Sequence, residues 1–220
     1  MKIKAMDGHE LDGYLAEPSC PPVAGLLVIQ EIFGVTAHIR HVTDGFAAEG
    51  YLSLAPALYD RVQRNAELPY TDFMAARQLM QKLSIDDVAS DLGGAVAALR
   101  AKLPAGAKVG IVGYCWGGAI ADLAACRTDV QAAVSYYGRA NVAWLDEKPR
   151  CPIMYHLGEK DQLIPPEVIA QISAGRPGAP VHVYPDAGHG FSCDERPEFH
   201  KASHELALER TLAFLQEHLR

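Results

Sequence analysis

Six short apolar runs occur along the chain, and most of them are separated by segments with helical periodicity. A run of four to eight apolar residues is typical of a strand that is buried on both faces of a sheet. The runs lie at residues 25–29, 51–55, 108–112, 132–136, 153–157 and 181–184. Before them, the turn dipeptides Asp7-Gly8 and Asp12-Gly13 predict a hairpin of two short strands.

Three segments predict amphipathic helices. Residues 36–49 form the first, and Gly50 is placed to close it. Ser84 and Asp87 have the spacing of a capping box at the start of the second. The apolar stripe of that helix comprises Ile85, Val88, Leu92, Val96, Leu99 and Leu103, and the stripe of the last helix comprises Leu208, Leu212, Leu215 and Leu219. Residues 56–70 show neither pattern and predict a surface loop.

Strands that alternate with helices predict an α/β fold, in which a mostly parallel central sheet is covered by helices on both faces. The sequence contains no internal repeat and no linker rich in Gly, Ser or Pro. We therefore expect residues 1–220 to form a single domain, which is compatible with the usual size of roughly 150 residues per domain.

Composition and charge exclude several classes of protein. An apolar share of 49% and a charged share of 21% exclude intrinsic disorder. The net charge of −7 and the lack of a dense Lys/Arg block argue against a nucleic-acid partner. The longest apolar stretch, residues 23–29, is too short to span a membrane. Five irregularly spaced cysteines and a polar N-terminus without an export signal predict a cytoplasmic location; a signal lost from the sequence is the alternative.

The segment after the strand at 108–112 has the pattern Gly-x-Cys-x-Gly, with Gly113, Cys115 and Gly117 at the fixed positions. This is the nucleophile elbow of strand–turn–helix hydrolases, with cysteine in place of serine. The sharp turn needs glycine two residues before and after the nucleophile, and the following helix directs its N–H groups toward a thiolate. One alternative is a dinucleotide-binding turn, in which Cys115 would block the pyrophosphate; the other is a buried structural cysteine.

Two further candidates follow later strands, in the chain order of nucleophile, acid and histidine that this pattern uses. Asp161 lies in an acidic loop after the strand at 153–157, and His189 lies after the strand at 181–184. The carboxyl ends of parallel strands meet at one edge of a sheet, where such proteins place their sites. Taken singly, Asp161 also fits as the N-cap of a helix near Pro165, and His189 as a surface histidine.

Together these residues resemble the dienelactone hydrolases (carboxymethylenebutenolidases), a family of the α/β-hydrolase superfamily. The resemblance covers nearly the whole chain and rests on Gln30-Glu-Ile-Phe-Gly34, Gly113-Tyr-Cys-Trp-Gly-Gly118, Tyr136-Tyr-Gly138, Gly158-x-x-Asp161 and Ala187-Gly-His189-x-Phe191. It implies an α/β-hydrolase fold without a separate lid domain, acting without a cofactor or metal ion.

The resemblance also implies catalytic roles for individual residues. Cys115, His189 and Asp161 would form a triad, in which the histidine accepts the thiol proton and the aspartate fixes the histidine tautomer. The backbone N–H groups of Ile32 and Trp116 would form the oxyanion hole.

Glu31 resembles an extra carboxylate of that family, which hydrogen-bonds the resting thiol and takes its proton as substrate binds. A carboxylate beside a cysteine otherwise disfavours the thiolate, so this role would make Glu31 a gate. The alternative is a salt-bridged loop residue.

The chain departs from the family at the two arginines that hold the carboxylate of dienelactone. One lies four residues past the catalytic histidine, where this chain has Cys193, and an ungapped count places the other at Phe73. Arg77 and Arg139 are nearby substitutes, and Tyr137 is expected to line the pocket. Cys193 either lines the same cleft or packs within its loop.

The sequence therefore predicts a cysteine hydrolase that cleaves a small ester or lactone through an acyl-thioester intermediate. A broader carboxylesterase or thioesterase is the nearest alternative, because the two arginines are missing. A non-catalytic ligand-binding protein of the same fold, and a redox sensor built on Cys115 and Cys193, are more distant alternatives. We expect a small-molecule partner, no nucleic acid or membrane, and a monomer or small homo-oligomer.

Two histidine pairs have spacings that metal sites also use. His200 and His204 are four residues apart, but the zinc-protease pattern needs Glu where this chain has Lys201. His38 and His41 lack an evident third ligand. We expect no metal ion at either pair.

Overall fold

The computed structural model describes residues 1–220 and contains one eight-stranded sheet covered by helices. The strands are β1 (Lys2–Lys4), β2 (Glu10–Ala16), β3 (Ala24–Ile29), β4 (Tyr51–Pro56), β5 (Val109–Tyr114), β6 (Ala132–Tyr136), β7 (Ile153–Gly158) and β8 (Val181–Tyr184). The α-helices are α1 (Ala37–Ala48), α2 (Phe73–Met80), α3 (Ile85–Arg100), α4 (Trp116–Arg127), α5 (Pro166–Gly175) and α6 (Lys201–Leu219), and two 3₁₀ helices span Leu58–Arg61 and Arg139–Trp144. No helix combines the length and the apolar character that crossing a bilayer requires.

The strands follow the order β1-β2-β4-β3-β5-β6-β7-β8 across the sheet. β1 and β2 pair antiparallel, as the predicted hairpin requires, and β3 to β8 run parallel. Gly25 and Gly110 point to opposite faces, since a Cβ at Gly25 would meet Leu99 and a Cβ at Gly110 would meet Leu219. α3 therefore covers one face and α6 the other, which confirms the predicted layers.

Side-chain caps begin two of the predicted helices. Thr36 Oγ1 accepts a hydrogen bond from the N–H of Ile39 at 3.4 Å, and Ser84 Oγ accepts one from the N–H of Asp87 at 3.0 Å. Such a cap typically stabilises a helix by about 1 kcal/mol. Gly50 follows α1 with a φ of 93°, a left-handed conformation that glycine adopts without strain, so the chain turns directly into β4.

Two parts of the chain before α3 differ from the expectation. Residues 56–70, predicted as a surface loop, contain the 3₁₀ helix Leu58–Arg61, whose first three residues are buried. α2 was not predicted, because only Ala76 and Leu79 of its residues are buried and its apolar stripe is correspondingly short. Both differences arise because such short elements are stabilised by tertiary contacts, which the local sequence pattern does not show.

The buried face of α6 is rotated from the predicted leucine stripe, since Leu208 and Leu212 are only half-buried. A polar residue takes a central buried position instead. Thr211 Oγ1 lies 2.7 Å from Tyr136 Oη and 3.0 Å from His156 Nε2. A leucine pattern does not detect this face, because hydrogen bonds to β6 and β7 fix it.

A buried ion pair ties together the helices that follow β5 and β7. Arg176, at the end of α5, pairs with Asp122 of α4 at 2.8 Å, and both side chains are at most 2% exposed. The guanidinium also donates to the carbonyl oxygens of Trp144 and Leu145. Tyr155 donates to the other Asp122 oxygen at 2.8 Å. The pair thus joins α4, α5, β7 and the second 3₁₀ helix.

Arg176→Met keeps the side-chain bulk but leaves Asp122 buried without its cation. We expect the free energy of unfolding to fall by about 3–5 kcal/mol, the usual cost of removing one partner of a buried ion pair. Arg139→Met, at an exposed arginine, is the matched control and should change stability by less than about 0.5 kcal/mol. Denaturant unfolding followed by circular dichroism measures both, and similar losses in the two variants would contradict the assignment.

Candidate active site

The turn between β5 and α4 holds Cys115 in a conformation that few residues with a side chain adopt. Its φ is 55° and its ψ is −120°, and such a backbone costs on the order of 1–3 kcal/mol. A Cβ at Gly113 would overlap the carbonyl of Gly117, and one at Gly117 would overlap the carbonyls of Ile29 and Gln30. The strand, turn and helix expected from Gly-x-Cys-x-Gly are therefore present, and both glycines are needed for steric reasons.

His189 links Cys115 to Asp161. Its Nε2 lies 3.1 Å from Cys115 Sγ, and its Nδ1 lies 2.8 Å from Asp161 Oδ2. The carboxylate is held in turn, because its Oδ1 accepts from the N–H of Leu163 at 2.8 Å. The structure thus brings the three sequence candidates into one hydrogen-bonded line, and we refer to them below as the candidate triad.

The same contacts determine the charge of the histidine. Burial alone would lower the pKa of His189, but the negative charge of Cys115 and the hydrogen bond to Asp161 raise that pKa to about 10. A positive imidazole at this position would pair with a thiolate on Cys115 Sγ, which lies 3.1 Å from Nε2.

Two backbone N–H groups near Cys115 have no acceptor within the protein. One belongs to Trp116, the first residue of α4, and the other to Ile32, in the loop after β3. The close contact of Gly117 with the Gln30 carbonyl brings α4 and this loop together. Free N–H groups at a helix N-terminus are the donors that an oxyanion on a bound substrate would need.

Tyr59 holds the loop that carries Ile32, and no pattern in the sequence indicated it. Its hydroxyl donates to the Ile32 carbonyl at 2.6 Å, and its ring stacks on Trp116 with centroids 6.0 Å apart. The N–H of Leu68 donates to the Phe33 carbonyl at 2.9 Å. These supports come from the segment predicted as a surface loop, so only the tertiary structure reveals them.

Glu31 pairs with an arginine instead of the thiol. Its Oε1 lies 3.5 Å from Arg196 Nη1, whereas the side-chain partner of Cys115 is His189. Burial raises the pKa of Glu31, while the charges of Arg196, His38 and His189 lower it. The structure therefore differs from the thiol contact that the family resemblance implied and matches the salt-bridged alternative.

Arg196 is a functional candidate that the sequence did not reveal. Its guanidinium lies over the Tyr70 ring, 5.9 Å from the centroid, and against Gly190, where a Cβ would come within 2.8 Å of Nη1. Two successive turns fold the loop back, through bonds from the Cys193 N–H to the Gly190 carbonyl and from the Arg196 N–H to the Cys193 carbonyl. The position four residues past His189 is Cys193, so the family spacing does not lead to Arg196. The two turns bring Arg196 back to the site.

Three of the predicted substrate-binding residues are exposed: Phe73, Arg77 and Arg139. None of them shares a hydrogen bond, an ion pair or a ring contact with the candidate triad. The side chains of the triad contact one another, the N–H of Leu163 and the Tyr137 ring. The cation beside this site is Arg196, which lies against Gly190 and pairs with Glu31.

Tyr137 and Cys193 are both fully buried near the candidate triad. The Tyr137 ring packs edge-on to His189 with centroids 5.2 Å apart, so Tyr137 contacts the candidate triad from the interior of the protein. Cys193 Sγ lies 3.4 Å from Tyr70 Oη, so the buried side chain packs against the segment that precedes α2. Burial raises the pKa of Cys193 to about 12, which disfavours a thiolate that could form a disulfide with Cys115.

The two histidine pairs contact other partners. His38 Nδ1 lies 3.0 Å from Asp194 Oδ1, and His41 is exposed. His200 and His204 each bond a nearby serine hydroxyl through Nδ1, at 2.7 and 2.6 Å. The structure contains no group of three or more His, Cys, Asp or Glu side chains arranged as metal ligands.

The sequence matches a known family along almost the full chain. The model of the dienelactone hydrolase family matches residues 11–219. The chain belongs to the dienelactone hydrolase family. This dienelactone hydrolase is 32% identical over 223 residues to the carboxymethylenebutenolidase of Pseudomonas putida, in an alignment that covers 98% of this chain and 94% of that one. It is therefore a carboxylic ester hydrolase.

Solved structures confirm the α/β-hydrolase fold of this dienelactone hydrolase. A Klebsiella pneumoniae protein described as a candidate dienelactone hydrolase superimposes with a TM-score of 0.89 at 29% identity, covering 99% of this chain and 98% of that one. A dienelactone hydrolase-like promiscuous phosphotriesterase from metagenomic libraries shares the fold, with a TM-score of 0.77 at 18% identity and coverage of 100% and 98%.

Tyr59→Phe removes the donor to the Ile32 carbonyl while keeping the ring against Trp116. We expect the free energy of unfolding to fall by about 1–2 kcal/mol and kcat on an activated aryl ester to fall by roughly tenfold, since the loop loses its fixed position. Tyr14→Phe, which removes a hydrogen bond to Asp44 at the surface, is the control and should leave kcat unchanged. An unchanged kcat in Tyr59→Phe would show that the hydroxyl does not position the loop.

Proposed function

We propose that this dienelactone hydrolase cleaves a small ester or lactone with Cys115 as its nucleophile, through an acyl-thioester intermediate. The observation that carries the proposal is the line from Cys115 Sγ through His189 to Asp161, with distances of 3.1 and 2.8 Å. A carboxylate that accepts from Nδ1 fixes the histidine tautomer and orients Nε2 toward the sulfur. Membership of the family supports ester hydrolysis, and these contacts support the assignment of roles.

In the first half-reaction the Cys115 thiolate attacks the carbonyl carbon of the ester. A C–S bond forms while the carbonyl π electrons move to oxygen, and this oxyanion accepts hydrogen bonds from the N–H groups of Ile32 and Trp116. The C–O bond to the leaving group then breaks, and His189 donates its Nε2 proton to the departing alkoxide oxygen. In a lactone, that alkoxide stays attached to the acyl group.

The second half-reaction restores the enzyme. Neutral His189 accepts a proton from a water molecule, whose oxygen attacks the thioester carbonyl. The second oxyanion collapses with cleavage of the C–S bond, and the acid product loses its proton to solvent. Cys115 is again a thiolate beside a protonated His189.

Arg196 supports a substrate that carries a negative charge close to the ester. Its guanidinium lies against Gly190, next to the triad histidine, and its side chain is only 15% exposed. Two carboxylates, Glu31 at 3.5 Å and Glu198 at 3.3 Å, already compensate its charge, so an anionic ligand competes with them. The same compensation favours the alternative candidate, a broader carboxylesterase or thioesterase that acts on uncharged esters.

The cysteines support a reducing, cytoplasmic location, which we include in the proposal. All five are free in the structure, and Cys115 acts only as a reduced sulfur. We further propose that residues 1–220 act as one catalytic domain, as a monomer or small homo-oligomer, on a small-molecule substrate.

Cys115→Ala removes the nucleophile and should lower kcat on an activated aryl ester by at least about a thousandfold. Cys20→Ala, at an exposed free cysteine, is the control and should keep full activity. Mass spectrometry of acid-quenched enzyme should detect an acyl adduct on Cys115 in the wild type. Undiminished turnover in Cys115→Ala would refute the proposed nucleophile.

Arg196→Gln tests whether the substrate is anionic. We expect kcat/KM for an ester that carries a carboxylate to fall by about 10- to 100-fold, the range for losing a hydrogen bond to a charged group, while an uncharged ester of similar size changes by less than about threefold. Arg139→Gln is the matched control at an exposed arginine and should affect neither ester. Equal losses for both esters would favour the broader esterase.

A further inference from the structure

Tyr137, the residue after β6, has a backbone conformation that bulky residues rarely adopt. Its φ is 40°, and Cys115 is one of three other non-glycine residues with a positive φ. The N–H of Tyr137 donates to the His156 carbonyl of β7 at 2.8 Å. On the other side, a Cβ at Gly138 would come within 2.7 Å of the Ala119 nitrogen in α4. The neighbouring strand and helix therefore hold this conformation against its strain.

The positive φ changes the direction of the Tyr137 side chain. Successive residues of a regular strand direct their side chains to opposite faces of the sheet. Tyr136 and Tyr137 nevertheless lie in one aromatic cluster, because both rings contact the same two neighbours. These neighbours are Tyr114 and Phe191, at centroid separations of 4.7 to 6.3 Å. The strained turn thus brings the Tyr137 ring to a cluster from which a regular strand would direct it away.

In this position the Tyr137 ring packs against the triad histidine. Its centroid lies 5.2 Å from that of His189 at an interplanar angle of 63°, and 5.4 Å from that of Phe191 at 71°. Edge-to-face packing of this kind is a favoured geometry for aromatic pairs. The two nitrogens of the imidazole contact Cys115 and Asp161. A ring held at two points can still rotate about the line that joins them, and the contact with Tyr137 restricts that rotation.

The hydroxyl of Tyr137 does not explain why a tyrosine lies here. The residue is fully buried, and its Oη has no hydrogen-bond partner. A buried polar atom without a partner destabilises the folded state, as does a positive φ at a bulky residue. Because neither feature favours folding, the position of this side chain is explained by the contact that its ring makes with His189.

We propose that Tyr137 is a positioning residue, which keeps the imidazole of His189 in the orientation that directs Nε2 at Cys115 and Nδ1 at Asp161. It acts through His189 and not on the substrate, since its own side chain is fully buried.

The consequence for catalysis rests on the proposed function. His189 has to transfer a proton to the leaving group and accept one from water, and both steps need Nε2 in line with the reacting atoms. An imidazole that rotates more freely spends less time in this orientation. Loss of the Tyr137 ring should therefore lower kcat and leave substrate binding almost unchanged.

NMR spectroscopy reports the order of the imidazole directly. A proton on His189 Nδ1 that is bonded to Asp161 gives a far-downfield, slowly exchanging resonance, and its loss in Asp161→Asn assigns it. Tyr137→Leu removes the ring but keeps an apolar side chain, so we expect this resonance to broaden or to move upfield. Tyr137→Phe keeps the ring and should retain the wild-type resonance.

The kinetics of the same variants separate positioning from substrate binding. For Tyr137→Leu we expect kcat on an activated aryl ester to fall by roughly 10- to 100-fold, and KM to change by less than about threefold. Tyr137→Phe should keep kcat within about twofold of the wild type, because only the unpaired hydroxyl is removed.

Tyr51→Leu is the matched control for loss of a buried ring. Tyr51 lies in β4 and is 2% exposed, and its ring contacts that of Phe46, away from the candidate triad. We expect it to lose stability as Tyr137→Leu does, but to keep the wild-type resonance and kcat. Tyr137→Met, whose flexible side chain fills irregular space, is a second variant without the ring if Tyr137→Leu does not fold.

A wild-type resonance in folded Tyr137→Leu or Tyr137→Met overturns the proposal. Equal losses of kcat in Tyr137→Phe and Tyr137→Leu also overturn it, because they would assign the effect to the hydroxyl. So does a wild-type kcat in a variant with an altered resonance, provided that Cys115→Ala is inactive.

The NMR measurement needs no ester, so its failure is distinguishable from failure of the proposed function. An altered resonance in Tyr137→Leu alongside undiminished turnover in Cys115→Ala would remove the proposed nucleophile and leave the positioning of His189 standing. An unaltered resonance alongside an inactive Cys115→Ala would remove the positioning role and leave the nucleophile standing.

Discussion

The close approach of α4 to the end of β3 is the constraint on which the site depends. Gly117, in the first turn of α4, lies so near the carbonyl of Gln30 that any Cβ would push the helix away. The same approach brings the free N–H of Trp116 toward the loop that carries Ile32. The meeting of free N–H groups from two separate chain segments is therefore one consequence of this glycine contact. The tight turn at Cys115 is a second consequence of the same contact, because a displaced helix would relax the turn.

The strained turn at Cys115 persists because its neighbours hold it. β5 lies inside the sheet between β3 and β6, and the N–H of Cys115 donates to the Tyr136 carbonyl of β6 at 3.0 Å. The loops of the acid and the histidine are joined in the same way, by a bond from the Lys160 N–H to the Ala187 carbonyl at 2.9 Å. Backbone strain of a few kcal/mol persists where several independent contacts of the surrounding structure fix the same conformation. The carboxyl ends of the strands and the loops that follow them thus hold the candidate triad in place.

Sequence and structure agree where local chemistry determines the outcome. The apolar runs became strands because a doubly buried strand needs apolar residues throughout, and Gly113, Cys115 and Gly117 marked the turn because sterics allow few other residues there. Tyr59 and Arg196 could not be predicted in this way. Tyr59 acts through a backbone carbonyl that carries no sequence signal, and Arg196 reaches the site only because two turns reverse its loop. The positions of such residues depend on tertiary contacts, which spacing along the sequence does not reveal.

The negative groups of the site outnumber the positive groups that compensate them. With the thiolate and imidazolium formed, Cys115, Asp161, Glu31 and Glu198 contribute four negative charges, and His189 and Arg196 contribute two positive ones. At an effective dielectric constant of 20, two unit charges 4 Å apart interact by about 4 kcal/mol, so an anionic ligand adds a substantial repulsion. Glu31 is the carboxylate on which this balance depends, because burial raises its pKa while the charges of Arg196, His38 and His189 lower it. A ligand that drew Arg196 away would remove one of those three cations. The charge of Glu31 would then depend on what Arg196 contacts.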